Sequence, residues 1–196
     1  MNLLREYIRE LLTEGAKNLD DLEAEDFYIY ISKWDGGFAI ELGDEDSPSV
    51  TGNINVFKDD RQGPCGGAFM VGSSDATHGW GPLIYDLAME LATELGGGLM
   101  ADRGEVSGEA RAVWDYYLAN RGDVTGIQMD DPMDTLTPEE ADNCDQDVAG
   151  GWRQGFNNDI ESPPDPDWME SPLSKRWTKP PTTLNTLRAG DRLIEE

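Results

Sequence analysis

The sequence has few basic residues. Lysine and arginine number 15 against 40 aspartates and glutamates, which gives a formal net charge of −25. A surface this negative repels phosphate backbones and anionic lipids. We therefore expect neither a nucleic-acid partner nor a membrane partner, and solubility is the plainest interpretation of the acidity.

Long apolar runs and cysteine are also scarce. No stretch approaches the ~20 apolar residues that a membrane-spanning helix needs. The first ten residues carry two arginines and two glutamates, which interrupt the apolar core that a secretory signal requires. Cys65 and Cys144 are too few for a disulfide framework, so the sequence favours a reducing compartment, and Cys65 is interpreted as a small buried residue.

The N-terminal residues 1–13 have helical periodicity. Their apolar residues recur three and four positions apart and form one stripe: Leu3, Leu4, Tyr7, Ile8, Leu11 and Leu12. Gly15 ends this amphipathic helix, and an acidic linker fills residues 15–26. The stripe must be buried against the domain, a second copy or a scaffold.

The segment 27–71 is predicted to form an antiparallel meander. Strands are expected at residues 27–31, 38–42, 50–57 and 65–71, and Asp35, Gly36 and Gly37 provide the first hairpin turn. The periodicity then changes to helical over residues 82–95 and 107–120, with Ser107 as the cap of the second helix. A short buried strand at Leu99 and Met100 separates the two helices.

The C-terminal third, residues 125–196, is acidic, rich in proline and largely irregular. One short helix is expected near Thr137, and periodicity is absent from 157–182. Trp152, Trp168 and Trp177 indicate that this extension docks on the core or on a partner, because disordered segments are poor in aromatic residues.

The order of elements from Gly66 to Gly122 resembles the GNAT family of acyl-CoA-dependent N-acetyltransferases. An apolar strand, a loop with Gly79 and Gly81, a long helix, a short strand and a second helix follow one another. The resemblance implies an α+β or α/β fold at residues 27–124, with a mixed, mostly antiparallel sheet flanked by helices. It also implies a cofactor, acetyl-CoA or another acyl-CoA.

In that family the loop and the following helix N-terminus hold the cofactor pyrophosphate. The resemblance therefore implies cofactor-binding residues in a single run: His78, Gly79, Trp80 and Gly81. The chain departs from the family pattern at Ala76, where arginine or glutamine is usual, and at Pro82. The predicted strand 65–71 also lacks the carboxylate that many members use as a base.

Tyr116 and Tyr117 are the catalytic candidates, since a family tyrosine protonates the leaving thiolate. Tyr117 shares its helix face with Val113 and Trp114 and is equally explained as core, whereas Tyr116 is freer. No metal is expected. The acidic run 142–147 fails the EF-hand pattern, because Val148 stands at the glycine position and Gln154 at the closing glutamate position.

A second resemblance involves residues 1–14. Leu12 and Glu14, followed by Gly15 after a short amphipathic helix, resemble the capsid-targeting propeptide of T-even-type tailed phages, which is cut after a Leu-x-Glu motif. This implies processing between Glu14 and Gly15, contacts with phage head or scaffold proteins, and a location in the infected host's cytoplasm or packaged in the virion. A plain packing helix explains the same residues.

The sequence thus predicts a GNAT-like phage protein that transfers an acyl group from acyl-CoA to an amine. Two alternatives remain open at this stage. One is a non-catalytic virion protein, structural or interacting, that keeps the fold. The other is an acidic inhibitor of a host protein.

Overall fold

The computed structural model describes residues 15–77, 79–103, 106–146 and 168–195. Eight strands and four helices lie in these ranges. The strands are β1 (Tyr28–Trp34), β2 (Gly37–Gly43), β3 (Gly52–Phe57), β4 (Phe69–Ala76), β5 (Leu99–Met100), β6 (Thr125–Gln128), β7 (Lys175–Thr178) and β8 (Leu193–Glu195); the helices are α1 (Leu19–Ala24), α2 (Gly81–Glu94), α3 (Gly108–Asn120) and α4 (Thr182–Ala189).

The strands form one mixed sheet in the order β6-β7-β5-β4-β3-β2-β1-β8. The pairs β1–β2, β2–β3, β5–β7 and β6–β7 are antiparallel, whereas β4–β5 and β1–β8 are parallel. This confirms the predicted class, an α+β fold with a mostly antiparallel sheet and helices. No helix in the described ranges is both long and apolar enough to cross a bilayer.

The chain divides into two compact units. The first unit comprises Met1–Phe57, Val71–Leu91 and Pro181–Glu196, and the second comprises Lys58–Met70 and Ala92–Pro180. Strand β4 contributes its first two residues to the second unit and the rest to the first.

The first unit is built on the β1–β2–β3 meander. A two-residue turn joins β1 to β2, and Gly36 supplies the positive φ of +84° that this turn requires. Alternate residues are buried, for example Ile29 and Ile31 in β1. Helix α2 covers the sheet, with Ile84 and Leu87 buried and Ile84 directly against Gly52. Burying each such side chain stabilises the fold by about 1.5–3 kcal/mol.

A buried carboxylate fastens α4 in the first unit. Glu90 of α2 is fully buried and accepts hydrogen bonds from the amides of Thr183 (3.1 Å) and Leu184 (2.7 Å) and from the Thr182 hydroxyl (3.3 Å). Because the first amides of a helix have no partner within it, this carboxylate is the cap of α4. After α4 the chain turns back, and β8 pairs with β1.

The second unit packs α3 and β7 around aromatic rings. Trp114, Tyr117 and Trp177 are buried, and the Tyr117 ring lies 6.0 Å from Trp114 and 6.2 Å from Trp177 between centroids. The Ser107 hydroxyl accepts the Ala110 amide at 3.1 Å, so this residue caps α3 as the sequence predicted.

Three expectations about secondary structure were wrong. Residues 65–67 form a 3-10 turn rather than a strand, because Cys65, Gly66 and Gly67 have positive φ values; β4 begins later. The linker 15–26 contains α1, capped by Asn18 and Asp21. The extension 125–196 contains β6, β7, α4 and β8, so it is not irregular throughout. The short helix expected near Thr137 is only a 3-10 turn at Glu140–Asp142. The predicted helix at 1–13 lies outside the described residues.

Candidate functional site

The candidate loop, residues 77–81, leads from β4 into α2 and belongs wholly to the first unit. The Trp80 amide donates to the Thr77 carbonyl at 3.1 Å, and the Ile84 amide donates to the Trp80 carbonyl at 3.2 Å. Pro82 has no amide hydrogen. Among the described residues of this loop, the amides of Gly79 and Gly81 are therefore the donors that can reach a ligand.

Gly79 is the most constrained residue of the loop. Its φ of +91° favours glycine, and a Cβ there would collide with the Gly15 carbonyl oxygen. The Gly79 carbonyl accepts the Lys17 amide at 2.9 Å. Residues 15–17 thus cover one side of the loop. Gly81 differs, because a Cβ there would meet no atom of the described residues within 4 Å.

The side chain of Trp80 packs in the core and is not placed to contact a ligand. Its side chain is buried, and its ring lies 5.8 Å from Phe27 between centroids. The Lys17 ammonium stands 5.5 Å from the same ring and is paired with Glu25 at 2.5 Å. His78 lies outside the described residues.

The two candidate tyrosines lie on α3 in the second unit. Tyr117 is buried between Trp114 and Trp177, and the Arg121 guanidinium lies 5.6 Å from its ring centroid. Tyr116 is only half-buried, with its ring 6.3 Å from that of Tyr117. The packing therefore assigns Tyr117 to the core and leaves Tyr116 as the hydroxyl that a substrate could reach.

A hydroxyl pair near the loop was missed by the sequence reasoning. The hydroxyls of Ser74 in β4 and Tyr85 in α2 lie 3.0 Å apart. Burial raises the pKa of Tyr85, and the hydrogen bond to Ser74 opposes that rise in part. Asp75, next along β4, is exposed, so the observed strand contains a carboxylate. The strand was predicted to end at residue 71, so Ser74 and Asp75 fell outside it.

The second unit contains a disulfide between Cys65 and Cys144, contrary to our expectation of a reduced pair. Both residues are buried, so Cys65 is buried as expected but not free. Their separation of 79 residues gives no sequence signal of pairing.

Arg103 lies against this disulfide and is 4% exposed. It donates to Cys144 Sγ at 2.6 Å, to Met100 Sδ at 3.3 Å and to the Asp145 carbonyl. Burial lowers the pKa of the Arg103 guanidinium to about 10, opposed by Asp145, Asp102 and Asp131. The group remains a cation at neutral pH.

The acidic residues nearby act as structural acceptors. Asp130 is buried and accepts the amides of Leu136 (2.8 Å) and Thr137 (2.7 Å). Asp131, also buried, accepts the amides of Met133 (2.7 Å) and Gln146 (3.0 Å). These carboxylates therefore hold the loops that flank the disulfide.

No protein-family model, no curated protein and no solved structure matches this chain in the comparisons with known proteins.

Proposed function

We propose that the chain is a GNAT-like protein that binds an acyl-CoA at residues 77–81 and transfers the acyl group to an amine. The observation that supports this most is the strand arrangement. Strands β4, β5, β7 and β6 are neighbours in that order, and the parallel pair β4–β5 is hydrogen-bonded only at Phe69 and Met70. The remaining residues of β4, 71–76, have β3 on one side and no described strand on the other. A free strand edge suits the peptide-like amides of a pantetheine arm.

The loop at the end of that edge supports the same proposal. Helix α2 has 14 residues, and its N-terminus carries partial positive charge. The amides of Gly79 and Gly81 would donate to the pyrophosphate, and Gly81 has open space beside it.

The chemistry would be direct transfer. The amine nitrogen attacks the thioester carbonyl, the carbon–sulfur bond breaks, and the thiolate leaves. Tyr116 is our candidate to protonate that thiolate, because Tyr116 is the less buried residue of the two.

Cofactor binding is tested by titrating the protein with acetyl-CoA. Binding should raise the melting temperature with dose, and saturation at 100 times the dissociation constant adds about 2.7 kcal/mol to the free energy of unfolding. Gly81→Glu should abolish the shift. Gly108→Glu is the matched control, since Gly108 also opens a helix and a Cβ there also meets no atom within 4 Å.

Catalysis is tested separately with a panel of amines. Tyr116→Phe should lower kcat by about 10²-fold or more while leaving acetyl-CoA binding unchanged. Tyr117→Phe is the comparison, and it should act on stability instead. Equal kcat values for Tyr116→Phe and the unchanged protein would remove Tyr116 from the mechanism.

A non-catalytic virion protein is the second candidate function. Its non-catalytic part is favoured by the cover over the loop, which leaves less room for a cofactor, since the Lys17 amide donates to the Gly79 carbonyl and Gly15 fills the space beside Gly79. No melting shift at millimolar acetyl-CoA would favour this candidate over the enzyme.

Delivery in a phage head remains a proposal for residues outside the described ranges. If the bond after Glu14 is cut, Gly15 becomes the new N-terminus, and residues 15–17 can keep their contact with Gly79. Protein from mature particles should then begin at Gly15 in N-terminal sequencing. Intact Met1 in particles would contradict the proposal.

A further inference from the structure

The disulfide in the second unit joins two loops that are already aligned by main-chain hydrogen bonds. The Cys65 amide donates to the Asn143 carbonyl at 2.9 Å, and the Asp145 amide donates to the Gln62 carbonyl at 2.8 Å. These bonds do not involve sulfur. They can keep Cys65 and Cys144 close together when the sulfurs are reduced.

Arg103 is placed to respond to the charge on Cys144. Its hydrogen bonds go to two sulfur atoms and one carbonyl, and its Nε has no partner among the described residues. A disulfide sulfur is uncharged and a weak acceptor, so a buried cation gains little from it. A thiolate at the same position would form a charge-assisted hydrogen bond with the guanidinium.

Three carboxylates act on this site as well. Asp102, Asp131 and Asp145 all interact electrostatically with Arg103. They oppose a negative charge on Cys144, and Asp131 already accepts two main-chain amides. The guanidinium contacts Cys144 Sγ directly, whereas none of the three carboxylates has a hydrogen bond to that sulfur among the described residues, so we expect its attraction to outweigh their repulsion.

We propose that Cys65 and Cys144 form a redox-active site, reduced by thiols, in which Arg103 stabilises Cys144 as the thiolate. A reductant thiolate attacks Cys65 Sγ, the bond between the two protein sulfurs breaks, and Cys144 leaves as a thiolate. A second reductant thiol then attacks the mixed disulfide and releases Cys65, which takes a proton. The two reductant thiols become one disulfide, and the protein gains two electrons.

Stabilising the reduced form makes a disulfide a better oxidant. The couple should therefore be reduced more readily than a structural disulfide of the same burial. Both cysteines are buried, so the reductant must wait for the loops around residues 62–65 and 143–146 to open. Reduction should therefore be slow in the folded protein.

The test is equilibration of the full chain in glutathione redox buffers, followed by acid quenching, alkylation and mass spectrometry. Arg103→Met should shift the equilibrium constant at least tenfold toward the disulfide, which is about 30 mV for a two-electron couple. Arg103→Lys keeps a cation and should shift it less. An unchanged constant, or a shift toward the dithiol in Arg103→Met, would overturn the proposal.

A second measurement covers the case in which Arg103→Met does not fold. Thiolate absorbance at 240 nm is titrated in the Cys65→Ser variant, where Cys144 is the only thiol, and in Cys144→Ser, where Cys65 remains. Cys144 should titrate well below the ordinary cysteine pKa of about 8.5, and Cys65 should not. A Cys144 pKa at or above that value would overturn the proposal without any Arg103 variant.

Discussion

The two units differ in how they accommodate buried polar groups. In the first unit the buried carboxylate of Glu90 has three hydrogen-bond donors in α4. In the second unit lie all seven of the buried side-chain nitrogen and oxygen atoms that have no hydrogen-bond partner among the described residues. They belong to Gln62, Arg103, Asp142, Asn143, Gln146 and Arg176.

This difference shows what stabilises each unit. Unpaired buried polar atoms cost roughly 1–3 kcal/mol each unless water satisfies them. A unit that carries them needs another source of stability, and the second unit has the Cys65–Cys144 bond close to most of them. The first unit is stabilised instead by the β1–β2–β3 meander, by helix α2 on that sheet, and by the hydrogen bonds between Glu90 and α4. Four substitutions can break or sharpen this comparison.

The largest effect should follow removal of the disulfide. In the chain-entropy model, a cross-link spanning 79 residues stabilises the fold by about 4.5 kcal/mol. The double variant Cys65→Ser with Cys144→Ser should lose that amount in denaturant unfolding. Hydrogen exchange should quicken in residues 58–70 and 92–146 while β1 to β3 stay protected. Equal loosening of both units would contradict the comparison.

Glu90→Ala should cost about 3 kcal/mol, because it leaves buried helix amides without an acceptor. The effect should appear in the first unit, as faster exchange at Thr183 and Leu184. Glu90→Gln retains one acceptor oxygen and should lose less. If both variants unfold like the unchanged protein, Glu90 is not the cap that fastens α4.

Ser107→Ala should cost about 1 kcal/mol, the usual value of a helix cap. Thermal unfolding measures it, and Ser107→Asp serves as the control that keeps an acceptor for the Ala110 amide. A loss much larger than this would mean that α3 depends on its cap more than on the buried Trp114 and Tyr117.

The smallest effect concerns Glu195 in β8, whose pKa is lowered first by the hydrogen bond to Lys33 and then by Arg188. A lowered folded-state pKa gives stability that is present above the unfolded value of about 4.3 and is lost as pH falls through the folded one. The side chain is 36% exposed, so the gain is about 0.3 kcal/mol. Glu195→Gln should match the unchanged protein at pH 3 and be slightly less stable at pH 7 in urea unfolding. A larger difference at pH 3 would contradict this assignment.

Local patterns predicted the first unit better than the second. The β1–β2 hairpin and α2 follow from alternation, a glycine turn and a helical stripe, all readable within a few residues. Strands β6 and β7 have only four residues each and depend on pairing between residues 47 to 53 positions apart. The other side chains of β7 are polar, so its sequence pattern does not indicate a strand with Trp177 as the buried residue.

The candidate site was predictable in part. The glycine loop and the capped α3 follow from residue types, and so does the contrast between Tyr116 and Tyr117. No local signal indicated that residues 15–17 would cover Gly79, or that Arg103 would contact a sulfur 41 positions away. Asn18 and Asp21 did carry the signal for α1, a capping box, within a run of acids that suggested a linker.

The pairing of β8 with β1 has a consequence for handling the protein. Strand β8 has three residues, and its register places Leu193 opposite Ile29 and Ile194 opposite Tyr30. It therefore shields the outer main-chain edge of a well-formed hairpin. A shortened chain that lacks it would present that edge as a template for another molecule, and such edges drive aggregation. Strand β8 thus occupies this edge of the sheet and limits self-association there.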